Sequence, residues 1–145
     1  AHLLNNLAVL VPAVWLVETR YCRDTVPLFL LAGLAIGLTL LVAEPQILEF
    51  GGASGICFAF LVYSCLRGLK DGRVWRIFCA IVLTIVGAKI LAESTGWHVT
   101  EWQQSDGFVP VMLAHAVGAA AGGLVYLWHV LGRSDFFFRL AAPYR

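Results

Sequence analysis

Five stretches of almost purely apolar residues, near Leu3 to Val17, Val26 to Ala43, Ser54 to Leu66, Val74 to Ala92 and Val109 to Leu131, occupy most of this chain. A bilayer core of about 30 Å is crossed by roughly 20 helical residues, so the second, fourth and fifth stretches are long enough to span it. With 60% apolar and 13% charged residues and a mean hydropathy of +0.82, the composition lies outside the soluble globular range. The expected fold class is all-α: a polytopic transmembrane helical bundle forming a single domain over residues 1–145, integral to a membrane.

Two stretches are short. The third follows Phe50-Gly51-Gly52-Ala53, a Gly-rich approach that lets its helix begin below the membrane surface. Non-helical backbone at that depth survives only where protein or a water-filled cavity satisfies it. The first stretch carries His2, Asn5 and Asn6 and lacks a basic start, unlike a cleavable signal peptide. It begins without Met at the edge of a hydrophobic segment, so the chain reads as an N-terminally truncated fragment.

A net charge of +1 without a basic block gives no electrostatic footprint for nucleic acid. Of the four cysteines, Cys57, Cys65 and Cys79 lie in apolar runs without metal-ligand spacing, which favours buried packing over a disulfide framework or zinc site. Cys22 lies in a loop. No metal or cofactor is called for.

The loops alternate in charge. Arg20 and Arg23, then Arg67, Lys70, Arg73 and Arg76, then Arg133, Arg139 and Arg145 follow the first, third and fifth spans, and these ends are expected to face the cytoplasm. The other two loops carry Glu44 and Glu49, then Glu101 and Asp106. Lys89 is the exception, spaced to form an i,i+4 pair with Glu93 near the outer end of the fourth span.

This topology brings the intramembrane polar groups into one leaflet. His2 and Asn6 fall in the outer turns of the first span, Ser54 at the start of the third, and His115 about 9 Å past Val109 on the fifth. Each has a bland reading. Gly52-Ala53-Ser54-Gly55 is a small-residue packing surface as readily as a nucleophile motif. His115 alone reads as a structural or proton-relay residue, and His2 and Asn6 as interfacial or capping groups. Their shared depth favours function, because independent residues have no reason to converge.

Peptide hydrolysis by serine needs a base within reach of the hydroxyl and donors aimed at the developing oxyanion. Ser54 and His115 supply the pair; the Ser54 backbone N–H and the side chains of His2 and Asn6 supply donors. No third triad member is evident, since Asp24, Asp71, Asp106 and Asp135 all lie in loops. The expectation is a Ser/His dyad with the imidazole oriented by packing. Ala114, Gly118 and Gly122 form a smooth stripe beside His115 that admits a close helix. Phe58, one turn after Ser54, is placed either against the imidazole or as ordinary bulk.

These residues resemble the rhomboid family of intramembrane serine proteases. The resemblance rests on His2-Leu-Leu-Asn-Asn6, on Phe50-Gly-Gly-Ala-Ser-Gly55 followed by Leu66-Arg67-Gly68, and on Ala114-His115-Ala-Val-Gly118-Ala-Ala-Ala-Gly122, in the family's order. It implies a rhomboid-like fold without the family's first helix. Ser54 would attack, His115 would act as base and then acid, and His2 and Asn6 would help bind the oxyanion, with Gly52, Gly55, Phe58, Gly118 and Gly122 in support. The implied partners are the lipid bilayer and transmembrane protein substrates, unwound near their outer ends and admitted beside the helix from Val74 to Ala92, with the loop from Glu93 to Phe108 as a lid. Trp97 and Trp102 in that loop suit an interfacial position. The implied location is a bacterial inner membrane, with the site open to the non-cytoplasmic side. Phe58 stands where many bacterial members have Tyr. The region of Lys89 and Glu93 also resembles rhombosortases, which act on Gly-Gly C-terminal sorting tails. The alternatives are an inactive rhomboid-like protein that binds membrane clients, and a proton or ion transporter fragment.

Overall fold

The computed structural model describes residues 2–21, 24–43, 53–95 and 112–132, and the side chains of His2 and Leu3 lie outside that description. Among these residues five helices follow one another: α1 (His2–Tyr21), α2 (Thr25–Ala43), α3 (Ala53–Gly68), α4 (Arg73–Ser94) and α5 (Met112–Gly132). No strand occurs among the described residues. Three of the helices are long and apolar enough to cross a membrane, at Thr25–Ala43, Arg73–Ser94 and Met112–Leu131, the same three that length alone selects in the sequence. α1 runs past its apolar stretch through Glu18, Thr19 and Arg20, reaching 20 residues.

α3 is the pillar of the bundle. Nine of its 16 residues are buried, on every side of the helix, and it packs against all four of the others. Being surrounded by protein explains how so short a helix is accommodated. α2, by contrast, buries only Leu28, Ala32, Ile36 and Leu40, one residue per turn. Its other faces expose Leu30, Leu34, Leu38 and Leu41, an apolar display that only lipid would tolerate. α4 is the most peripheral, burying Cys79, Val86 and Glu93 at intervals of seven residues.

Two apolar clusters stack along the bundle. The larger joins Ala13 and Val17 of α1, Leu28 and Ala32 of α2, Ala59, Phe60 and Tyr63 of α3, and Ala121 of α5. The smaller joins Ile36, Leu40 and Ala114, with Ile56, Leu113 and Val117 packed on it. Cys57, Cys65 and Cys79 are free thiols buried among these helices.

The end of the bundle where α1, α3 and α5 finish is stitched by polar contacts. Arg20 pairs with Asp71 at 3.1 Å, Arg67 lies 4.6 Å over the Tyr21 ring, and Asp24 accepts from the Tyr63 hydroxyl and faces His129 Nδ1 at 3.0 Å. The described basic side chains Arg20, Arg67, Lys70, Arg73 and Arg76 all belong to this end. The opposite end gathers the start of α1, the start of α3, the end of α4 and the start of α5. Asn6, Ser54 and His115 lie on these helix segments.

Candidate active site

α3 and α5 meet backbone to backbone. A Cβ placed on Gly55 would stand 2.7 Å from Ala114 O, one on Gly118 would collide with Gly55 O, and one on Gly122 with Ala59 O. Only hydrogen side chains permit this approach, which depends on small residues in register on both helices. Ser54 precedes Gly55 and His115 follows Ala114, so both flank the same contact. Ser54 is half-buried and His115 is 6% exposed.

The imidazole is held on two sides. Phe58, on the same face of α3 as Ser54, stacks on it with ring centroids 4.5 Å apart and planes 14° from parallel. Its Nδ1 lies 2.8 Å from Oε2 of Glu93, which reaches across from the last turn of α4. The other carboxylate oxygen, Oε1, takes Lys89 Nζ at 2.5 Å, the i,i+4 pair that the sequence suggests. Glu93 is 7% exposed, so a lysine, a carboxylate and an imidazole form a linked row at the wall of the site.

The expectation that packing, in place of a carboxylate, orients His115 is therefore corrected: Phe58 packs on the ring and Glu93 also binds it. A carboxylate is acceptor only, so Nδ1 donates to it, and in the neutral imidazole Nε2 is the nitrogen that keeps a lone pair. Sequence reasoning missed this partner by assigning Glu93 to its own helix. The available signal was an acidic side chain within a membrane-spanning segment, which marks a functional position by default.

Asn6 stands close by, its backbone carbonyl accepting the Cys57 thiol at 3.3 Å, which seats the start of α1 against the first turn of α3. His2 lies on α1 one turn earlier, its side chain outside the described residues. Gly52, Trp97, Trp102 and the expected lid beyond Thr95 also lie outside them, as does Val109, the expected start of the fifth span. His115 thus falls in the first turn of α5 as described. Among the described residues no hydrogen bond joins Ser54 to His115, a looseness common in unliganded hydrolase sites.

The N-terminus of α3 adds donors. The first four N–H groups of any helix lack intrahelical acceptors, and for α3 they begin at Ala53 and include Ser54. A hydroxyl, an imidazole and the amides of a helix N-terminus together suit attack on a carbonyl carbon. The family model described as Rhomboid domain matches residues 1–133. The chain belongs to the rhomboid family. No curated protein and no solved structure matches it. The family is known for intramembrane serine proteases, and the helical bundle with three membrane-length helices accords with an integral membrane protein.

Proposed function

We propose that this rhomboid domain is an intramembrane serine endopeptidase working through Ser54 and His115. The observation that supports the reading is the close backbone contact of Gly55 with Ala114 and Gly118, the chain neighbours of Ser54 and His115, together with the stacking of Phe58, one turn after Ser54, on His115. His115 Nε2 takes the proton of the Ser54 hydroxyl as Oγ bonds to the scissile carbonyl carbon. The oxyanion that forms is stabilised by the Ser54 N–H, with Asn6 and His2 on the adjoining helix as further donors. Collapse breaks the C–N bond and the imidazolium gives its proton to the leaving amine. A water molecule, deprotonated by His115, then hydrolyses the acyl-serine and restores both residues.

The substrate is a transmembrane protein segment unwound near one membrane face. The basic side chains at the far end of the bundle support a reading in which that end faces the cytoplasm and the site opens to the other side, as in a bacterial inner-membrane enzyme. An ion-conducting path is disfavoured because Leu28, Ala32, Ala59 and Phe60, all fully buried, fill the middle of the bundle between its two polar ends.

The test is labelling by a serine-directed fluorophosphonate of the full-length protein in detergent or liposomes. Wild type is expected to label, with Ser54→Ala and His115→Ala reduced at least about 100-fold. Equal labelling of all three forms would end the protease reading and favour a client-binding relative. A smaller effect is expected at Phe58: its stacking contact is worth about 0.5–1.5 kcal/mol, so Phe58→Ala should slow labelling roughly 3- to 10-fold.

A further inference from the structure

Glu93 does something that a peripheral helix has no need to do. α4 buries just Cys79 and Val86 besides it, and an apolar residue at the third position would complete that stripe without desolvating a carboxylate. The carboxylate instead crosses to α5, with one oxygen on His115 and the other on Lys89. We infer that Glu93 is the positioning residue for His115, holding the proton on Nδ1 so that Nε2 is free to accept from Ser54, and that Lys89 fixes which face of the Glu93 head group His115 meets. The inference deepens the protease reading and rests on it for the role of Nε2.

Lys89 makes the idea sharply testable, because an ammonium group only donates. In Glu93→Gln the new amide must offer its carbonyl oxygen to Lys89, which turns its NH2 toward His115. An NH2 group facing Nδ1 demands a lone pair there, and the imidazole proton moves to Nε2. That tautomer cannot take the serine proton. The fault lies in the orientation of one amide, so removing the lysine should relieve it: in Glu93→Gln with Lys89→Met, the amide is free to turn its oxygen back to Nδ1–H.

The experiment combines fluorophosphonate labelling rates with nitrogen-15 NMR of histidine-labelled full-length protein in detergent, above the pH of imidazole titration, the His115 signals being assigned by their loss in His115→Gln. Wild type is expected to show Nδ1–H. Glu93→Gln should show Nε2–H and label roughly 100- to 1000-fold more slowly, and adding Lys89→Met should recover at least about fivefold of that rate. Glu93→Asp keeps the charge and should keep Nδ1–H, with labelling within about tenfold of wild type. An unchanged tautomer in Glu93→Gln overturns the inference, as does a changed tautomer with undiminished labelling when wild type labels faster than Ser54→Ala. A wild type labelled no faster than Ser54→Ala, with the tautomer responses as expected, removes the protease reading and leaves the Glu93 assignment standing.

Discussion

Gly118→Val is expected to abolish Ser54 labelling and to lower the stability of the bundle by about 3 kcal/mol or more, at or beyond the upper end for overpacked sites. The reason is what the new side chain would strike. Most overpacked positions relieve themselves by rotating a flexible neighbour, but a Cβ on Gly118 meets the backbone carbonyl, carbonyl carbon and Cα of Gly55. Helical backbone does not rotate aside as a side chain does, so α3 and α5 must separate. Separation at Gly55 moves Ser54 away from His115, and a displacement of about 1 Å is enough to cost on the order of 100-fold in rate. Gly123→Ala supplies the control, since nothing lies within 4 Å of a Cβ there. Thermal unfolding in detergent, read beside labelling, checks both halves. A Gly118→Val protein that unfolds and labels like wild type would mean that the two helices are not held in this contact.

How much of this was open to reading from the sequence varies with the kind of constraint. The helices were legible because the bilayer demands long uninterrupted apolar runs, and Ala114, Gly118 and Gly122 repeat every four residues, the spacing of a close helix contact. The inward face of α2 was not legible. Leucine, isoleucine and alanine surround that helix, and Leu28 and Ile36 go inward while Leu34 and Leu41 do not, with no polar face to reveal the difference. Glu93 was hidden for a related reason. Its i,i+4 neighbour is written in the chain, but whether its second oxygen meets water or another helix depends on the rotation of α4, which no periodicity in that helix records. Asp24 belongs to the same class. As a residue between two spans it reads as loop, whereas its carboxylate accepts from the buried Tyr63 of α3 and faces the partly buried His129 of α5.

Asp24→Ala is accordingly expected to destabilise the protein by about 2–4 kcal/mol, while leaving the labelling rate of the folded fraction unchanged. The magnitude comes from the contacts that are lost: Tyr63 is fully buried and donates its hydroxyl to Asp24, and His129 Nδ1 faces the same carboxylate at 3.0 Å. A buried donor stripped of its acceptor, as Tyr63 would be, costs about 1–3 kcal/mol, and the lost contact of the partly buried His129 adds to it. Tyr63→Phe removes one donor and leaves His129 paired, so it should cost nearer 1 kcal/mol. The effect is expected to stay local because Tyr63 lies nine residues along α3 from Ser54, about 13 Å, with Ala59 and Phe60 of the apolar core between them. Rigid packing carries the position of α3 to the site, but the charge on Asp24 contributes nothing there. Denaturation midpoints for Asp24→Ala and Tyr63→Phe, set against labelling rates measured well below those midpoints, separate the two contributions. A folded Asp24→Ala protein that labels several-fold more slowly would show that the two polar ends of the bundle are energetically coupled through α3, and the chemistry would then depend on both.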